Sequence, residues 1–309
     1  HKIMNVFLST AQAKGKIKNA VVTTGSFDGV HIGHKVIINR LNQIARKIDG
    51  ESVLITFHPH PRKVLYPDQN DLKLINSQEE KIELLRKTGL QNLIIIPFTL
   101  EFSRTSSHDF VSDILVGQLG AKVVIVGHNH HFGHKRKGDY DYLHKLAEEL
   151  HFGVEEIPLQ DIENETVSST KIRKALTEGN IQRANAYLDH QYIITGKIRR
   201  EQQDFPLPIG NTFSIEIREQ EKLIPPQGVY ASNLYLEDQV LKTVTFILPH
   251  QANGPRIVSS LLYDDLNQKT TEGTLYFYKK VMELPVLENS GITPEVIEEA
   301  REKVEDLIY

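Results

Sequence analysis

Ala20-Val21-Val22-Thr23-Thr24-Gly25-Ser26-Phe27-Asp28-Gly29-Val30-His31-Ile32-Gly33-His34 is the stretch from which the fold can be read. Its first five residues form an apolar run that reads as a buried strand. Downstream, Ile37, Leu41, Ile44 and Ile48 recur with helical period. A glycine-rich turn therefore joins a strand to a helix, and two histidines three apart stand at the helix start. The first N–H groups of a helix are unpaired and its dipole is positive there, so the turn is suited to hold a phosphate. Glycines allow a sharp turn and close approach of a ligand. Imidazoles hydrogen-bond phosphoryl oxygens, more strongly when protonated. The chemistry this points to is attack on a nucleotide phosphate. The string lacks the Gly-Lys-Ser/Thr ending of a P-loop, and its glycines are too widely spaced for a dinucleotide fingerprint.

Outward from that turn, short apolar strands alternate with helices. Val53–Phe57, Leu93–Ile96, Lys122–Val126 and Val154–Ile157 read as strands. Ser77–Leu90, Ser107–Leu119 and Tyr140–His151 read as helices, the first with Ser77 and Glu80 as a capping box and Gly89 at its end. Ser169–Leu176 and Ile181–Leu188 read as two further short helices. Such alternation predicts a parallel sheet covered on both faces, with ligands beyond the carboxyl ends of its strands. After about Asp189 the pattern changes. Ile193–Ile198, Thr212–Ile217, Val229–Leu236, Val240–Ile247, Ile257–Leu262 and Thr274–Tyr278 read as strands without intervening helices, which predicts an antiparallel barrel or sandwich. A last helix begins near Thr293 with Pro294 at its first position. The expected fold class is thus α/β, a Rossmann-like parallel sheet in residues 1–188 followed by an antiparallel β-barrel in 189–309 with a terminal helix.

Composition bounds the rest. The chain has 309 residues, 39% hydrophobic and 25% charged, with formal net charge −4 and no cysteine. The first figures suit a globular chain of two domains. The charge gives no overall basic field to draw nucleic acid or anionic lipid. Lack of cysteine excludes disulfides and thiolate metal sites. With neither a signal peptide nor an apolar run of membrane-spanning length, a cytoplasmic location is expected.

Three more segments of the first domain carry candidate chemistry. In Thr56-Phe57-His58-Pro59-His60-Pro61-Arg62, prolines stiffen a loop beside a flat apolar ring and a cation. It reads equally as a stacking and anion site or as a rigidified loop. Val126-Gly127-His128-Asn129-His130-His131-Phe132-Gly133-His134, followed by Lys135-Arg136-Lys137, reads as an anion-contacting loop; a metal site is the lesser reading, and no metal ligands are assigned. Val167-Ser168-Ser169-Thr170-Lys171-Ile172-Arg173 reads by itself first as a plain helix cap, and its hydroxyls, helix N–H groups and cations offer a second anion site as the lesser reading.

Taken in order, these motifs resemble the adenylyltransferase domain of the bacterial bifunctional riboflavin kinase/FAD synthetases, over residues from about 20 to 195. The resemblance implies transfer of AMP from ATP to FMN, giving FAD and pyrophosphate, with Mg²⁺ carried by ATP. It implies that His31 and His34 stabilise the ATP phosphates as catalytic residues. Gly25, Phe27, Asp28, Gly29 and Gly33 would shape the nucleotide pocket, and Asn129, Ser169, Thr170 and Arg173 would hold the triphosphate end. The loop formed by Phe57, Pro59, His60, Pro61 and Arg62 would face the flavin.

The resemblance weakens in the second domain. Thr195-Gly196-Lys197-Ile198 and Gly228-Val229-Tyr230 match the kinase part of the family. Residues 199–208, Arg-Arg-Glu-Gln-Gln-Asp-Phe-Pro-Leu-Pro, hold no Pro-Thr-Ala-Asn segment, and no counterpart of the catalytic Glu is evident around Ile257–Asp265. The expectation is a kinase-like barrel that has lost phosphoryl transfer. Alternatives are a fully bifunctional enzyme using other residues and a non-catalytic flavin or nucleotide sensor. His31-Ile32-Gly33-His34 also spells the class I aminoacyl-tRNA synthetase signature, against which stand the short chain and the lack of a Lys-Met-Ser-Lys-Ser-like loop. Small-substrate adenylyl- and cytidylyltransferases are nearer rivals, and the Pro-His-Pro loop favours flavin over them.

Overall fold

Six parallel strands carry the candidate site: β1 (Asn5–Phe7), β2 (Ala20–Thr24), β3 (Glu51–His58), β4 (Asn92–Pro97), β5 (Val123–Gly127) and β6 (Gly153–Ile157). Their order in the sheet is β1-β4-β3-β2-β5-β6. All registers between neighbours are parallel. The computed structural model describes residues 3–69, 71–128, 139–162, 165–200, 211–249, 254–267, 269–284 and 292–309. They fall into two compact units, one of residues 1–72 with 81–167 and one of 73–80 with 168–309.

In the first unit, β2 is buried along its whole length, as is the middle of β3. Continuous apolar runs, rather than alternating ones, are what a sheet covered on both faces demands. The helices of this unit are α1 (Thr10–Ala13), α2 (Ile32–Lys47), the short α3 (Pro61–Leu65) with no buried residue, the part of α4 (Gln78–Arg86) from Lys81 onward, α5 (Ser107–Asp109) with the π-helical Phe110–Gln118 that continues it, and α6 (Tyr140–Leu150). A core of Val22, Ile55, Ile94, Val111, Leu115, Val124 and Leu146 joins sheet and helices. A small hairpin of β7 (Asp161–Ile162) and β8 (Glu165–Thr166) completes the unit. The strand order reverses direction at β2, which lies between β3 and β5. The Gly25–Val30 turn leaves the carboxyl end of β2, so it occupies the topological switch point where such sheets bind ligands.

The second unit is a closed antiparallel barrel. Its strands are β9 (Tyr192–Arg200), β10 (Thr212–Glu216), β11 (Gly228–Tyr235), β12 (Val240–Leu248), β13 (Arg256–Leu261) and β14 (Glu272–Met282). They close in the order β10-β13-β12-β11-β14-β9. Closure removes exposed strand edges. The terminal helix α9 (Pro294–Glu305) lays Ile297, Ala300 and Val304 on Val229, Ala231, Val244 and Phe246. Its cap is Thr293 and proline stands in its first turn, as expected. Helices α7 (Ser169–Thr177) and α8 (Ile181–Leu188) belong to this unit as well. On α8, Asn185 donates through Nδ2 to the Phe277 carbonyl at 2.9 Å and accepts the Tyr192 N–H at 2.8 Å. Contacts therefore group 168–188 with the barrel, whereas the sequence pattern changes near 189.

Segment 73–80 also belongs to the barrel unit, and its anchor is a buried ion pair. Glu80 and Lys222, with side chains 0% and 1% exposed, meet at 2.7 Å. The Glu80 carboxylate also accepts the N–H groups of Ser77 and Thr195, at 2.8 and 2.7 Å. Lys222 Nζ donates to the carbonyls of Ile75 and Ile193, at 2.7 and 2.6 Å, and lies over the Tyr192 ring. A buried charge pair is tolerated when its remaining hydrogen-bonding capacity is used in this way.

Three expectations need correction. The helix expected over Ser107–Leu119 widens into a π-helix: Leu119 N–H reaches the Ile114 carbonyl, five residues back. On α2 the fully buried face is Ile38, Leu41 and Ala45, rotated from the Ile37, Leu41, Ile44 and Ile48 stripe. The helix expected to reach Leu90 stops at Arg86, where Lys87 N–H and Thr88 N–H turn back on Leu84 and Leu85 before Gly89 takes a positive φ of 79°. Strand β1 and helix α3 were not expected at all; one is three residues long and the other five.

Candidate active site

The turn between β2 and α2 is built from unusual backbone. Phe27, Gly29 and Val30 have φ of 49°, 90° and 47°. Glycine takes such values without penalty, but Val30 is β-branched and such a conformation costs about 1–3 kcal/mol. Val30 is fully buried, and its N–H closes the turn on the Phe27 carbonyl at 3.0 Å. Asp28, at the turn's apex in sequence, is buried too. Strain held in place by packing at a switch point is a mark of a functional turn. Gly25 extends the strand ladder, its N–H reaching the Ile55 carbonyl at 3.0 Å.

The two histidines cap α2 reciprocally. His31 is the N-cap, and its Nδ1 accepts the N–H groups of Gly33 and His34 at 3.1 and 3.3 Å. His34 Nδ1 in turn accepts the His31 N–H at 3.2 Å. This is a capping box with imidazoles in place of the usual hydroxyl and carboxylate. A backbone N–H can only donate, so both Nδ1 atoms are unprotonated and both rings carry their proton on Nε2. The rings stack at 3.6 Å between centroids, and Phe27 stacks on His34 at 4.4 Å. A Cβ at Gly33 would lie 2.9 Å from His31 Cε1, so only glycine leaves the His31 ring where it is. Burial, then the charges of His31 and Lys81, hold the His34 pKa well below the ordinary imidazole value. The helix N-terminus acts in the same direction. His34 is therefore held neutral, with Nδ1 as an acceptor and its proton on Nε2.

Lys81 was not singled out from sequence. The residue is 7% exposed. Its Nζ donates to the Ser26 carbonyl at 3.0 Å and to Thr56 Oγ1 at 2.9 Å. Thr56 is fully buried near the end of β3. No sequence signal in Glu79-Glu80-Lys81 distinguishes this lysine from an exposed one.

In the 57–62 segment, Phe57 packs against Phe98 and Phe102, with centroids 5.8 and 5.7 Å away, and remains half-buried. The bond before Pro59 is cis. His60 caps α3, Nδ1 accepting the Arg62 N–H at 3.1 Å, and Pro61 opens the helix. Arg62 Nη2 contacts both carboxylate oxygens of Asp71 at 2.9 Å. In the second unit, Ser169 and Thr170 form the first turn of α7, whose cap is Ser168, accepting the Lys171 N–H at 3.2 Å. Arg173 Nε donates to the Lys73 carbonyl at 2.9 Å. Asn129 and the histidines at 130, 131 and 134 lie outside the described residues. Among the described residues no group of three or more His, Asp or Glu side chains is placed to hold a metal ion, and no helix is long and apolar enough to cross a membrane.

The FAD synthetase family model matches residues 13–171, which spans the strained turn, the capped histidines and Lys81. This chain is a member of the FAD synthetase family. Its relatives include a bifunctional riboflavin kinase/FMN adenylyltransferase of Listeria monocytogenes, 35% identical over 69% of this chain and 67% of that one. A second Listeria monocytogenes protein, a FAD synthetase, is 32% identical over 64% of this chain and 81% of its own length. The Buchnera aphidicola bifunctional enzyme (from the Acyrthosiphon pisum host) is 32% identical and is spanned over 57% of its length. A solved Streptococcus pneumoniae structure, described as a macrolide-efflux protein, superposes over all of both chains with a TM-score of 0.82 at 20% identity. At that identity it speaks for the shared fold, a parallel sheet and a barrel, and for nothing further.

Proposed function

We propose that this chain is an FMN adenylyltransferase: it transfers AMP from ATP to FMN, giving FAD and pyrophosphate. The observation that carries the reading is the His31–His34 pair, two neutral Nε2–H donors fixed by a reciprocal cap at the switch point of a FAD synthetase-family sheet. An FMN phosphate oxygen attacks the α-phosphorus of ATP in line, a new P–O bond forms, and the bond to the β-phosphate oxygen breaks to release pyrophosphate. Negative charge grows on the α-phosphoryl and leaving oxygens. Preorganised donors are most effective at that point, because they need no reorganisation. Neutral imidazoles, the N–H groups of the turn and Mg²⁺ arriving with ATP supply the stabilisation. The attacking phosphate is already ionised, so no general base is required.

On this reading Gly25, Phe27, Asp28, Gly29 and Gly33 form the nucleotide cradle, and Asn129, Ser169, Thr170 and Arg173 serve the triphosphate. Phe57, Pro59, His60, Pro61 and Arg62 face the flavin, with Arg62 exchanging or sharing its Asp71 partner when FMN arrives. The adenylyltransferase domain would take in residues 1–188 and the barrel domain 189–309. The barrel is proposed to be without riboflavin kinase activity, since residues 199–208 lack the Pro-Thr-Ala-Asn segment. Incubation of the protein with FMN, ATP and Mg²⁺, followed by chromatography of the flavins, tests the assignment. FAD and pyrophosphate in equal amounts are expected; no FAD at saturating substrates would remove it.

A further inference from the structure

A lysine buried in the first turns of α4 is an anomaly. Burial disfavours its charge, and the positive helix terminus disfavours it again. Residues that break local rules without a local gain belong to sites. Lys81 Nζ joins two elements: it donates to the carbonyl of Ser26, inside the turn after β2, and to the hydroxyl of Thr56, near the end of β3. Ser26 itself is exposed, so its side chain does not fix it; the ammonium holds its carbonyl from beneath. One residue further on, the chain enters the left-handed conformations of Phe27, Gly29 and Val30, and then the His31 cap. Release of the Ser26 carbonyl would free the strained segment to relax.

We propose that Lys81 is a positioning residue for adenylyl transfer, holding the 25–30 turn and the His31–His34 pair in the geometry that grips the phosphates. The inference rests on the FMN adenylyltransferase reading above. Lys81 acts through backbone and charge, without touching the reacting atoms. Its charge is also one of the influences that keep His34 neutral, after burial and His31. The groups acting on His34 are thus His31, at the cap of α2, and Lys81 on α4, while Asp28 is buried in the turn beside Phe27. A neutral side chain at 81 would let His34 take a proton more readily and so lose the acceptor at Nδ1 that receives the His31 N–H.

Lys81→Met in the full-length chain is the test, with two readouts. The first is kcat and KM for FAD formation from FMN and ATP. We expect kcat to fall by about tenfold to a hundredfold, the scale of a misplaced grip, with the FMN KM little changed. The second is the ring titration of His34 by NMR on protein with labelled histidine, assigned with His34→Gln. Its midpoint should move up in Lys81→Met and stay near wild type in Lys81→Arg. A residue that served only the fold would lower the melting temperature and leave both readouts of the folded fraction alone. A kcat within about threefold of wild type, or an unmoved His34 midpoint, overturns the proposal. Should Lys81→Met not fold, Lys81→Gln, which lacks the charge and falls one atom short of the Nζ position that holds the Ser26 carbonyl, takes its place, and the same comparison applies. If wild type makes no FAD, the adenylyltransferase reading falls, and the His34 midpoint alone decides the role of Lys81.

Discussion

His31 and His34 each use Nδ1 to accept the backbone N–H of the other, at 3.3 and 3.2 Å. A proton on either Nδ1 would replace an acceptor with a donor facing a donor. The arrangement that starts α2 thus also fixes the tautomer of both rings, and on the FMN adenylyltransferase reading Nε2–H is the donor that would meet a phosphate.

The first consequence is a pH dependence. The His34 pKa lies below its ordinary value because of burial and the nearby charges of His31 and Lys81. In the unfolded chain a histidine titrates near about 6.5. Below that pH the unfolded state binds a proton that the folded state refuses, so stability present above about 6.5 is lost as pH falls toward the folded value. Urea unfolding at pH 7.5 and pH 5.5 should show a larger drop for wild type than for His34→Gln. Equal drops in the two proteins would exclude His34 as the source.

Adenylyl transfer should be slowed in His31→Ala and in His34→Ala. Loss of one preorganised donor to a developing oxyanion typically costs about 2.7–4 kcal/mol, or roughly 10²–10³ in rate. Each alanine also removes half of the reciprocal cap, so the effects should be less than additive in the double variant. Rates within about threefold of wild type, in protein with unchanged circular dichroism, would take the pair out of the mechanism.

Gly33→Ala tests the same geometry without touching a histidine. Alanine raises helix propensity in most settings by up to about 1 kcal/mol. Here its Cβ would meet the His31 ring at 2.9 Å, and the ring must move. The expected outcome is a protein of near wild-type melting temperature whose kcat/KM is down by about tenfold or more, the scale of a displaced catalytic group. Full activity would mean that the ring position is not critical.

The barrel unit offers a stability test independent of catalysis. Glu80 and Lys222 are both essentially inaccessible and meet at 2.7 Å. Removing one partner leaves an uncompensated buried charge, which typically costs about 3–5 kcal/mol. Lys222→Met should therefore be strongly destabilising by thermal melting. The pair Glu80→Gln with Lys222→Met should recover part of the loss, because no lone charge remains. A double variant as unstable as the sum of the singles would show that the two residues act separately.

How much of this was legible beforehand varies by residue. The parallel sheet and the barrel were readable because β2, β3 and β5 centre on short, mostly apolar runs, and because strands 193–278 follow one another without helices. The reciprocal histidine cap was half-legible: the spacing puts both rings at the helix start, but which nitrogen accepts depends on side-chain rotamers that no pattern encodes. The Ser77–Glu80 capping box was legible, with Glu80 N–H bonded to Ser77 Oγ at 3.2 Å. Its partner Lys222 was not, being 142 positions away in sequence and charged like any surface lysine. Lys81 and Thr56 share that fate, since only the packing of α4 on the sheet brings them together. The π-helical turns of 110–118 have no local signature in Phe-Val-Ser-Asp-Ile-Leu-Val-Gly-Gln.

The last prediction concerns the barrel. Phosphorylation of riboflavin would require a metal-bound nucleotide phosphate beside a group able to deprotonate the ribityl hydroxyl, which unlike the FMN phosphate is un-ionised at neutral pH. Residues 199–208 offer no Pro-Thr-Ala-Asn segment to hold that metal. Asp264 and Asp265, the nearest carboxylates after β13, are exposed to solvent rather than enclosed beside a substrate hydroxyl. The chain should therefore convert FMN but not riboflavin, and FAD should appear from riboflavin only when FMN is supplied by another enzyme. The measurement is a paired assay with ATP and Mg²⁺, one arm given FMN and the other riboflavin, in protein from a host lacking its own kinase. FMN accumulating in the riboflavin arm would show that the barrel has rebuilt a kinase site from other residues. If it does, Asp204→Asn and the double change Asp264→Asn with Asp265→Asn would locate the rebuilt base, since whichever abolishes that product carries the proton.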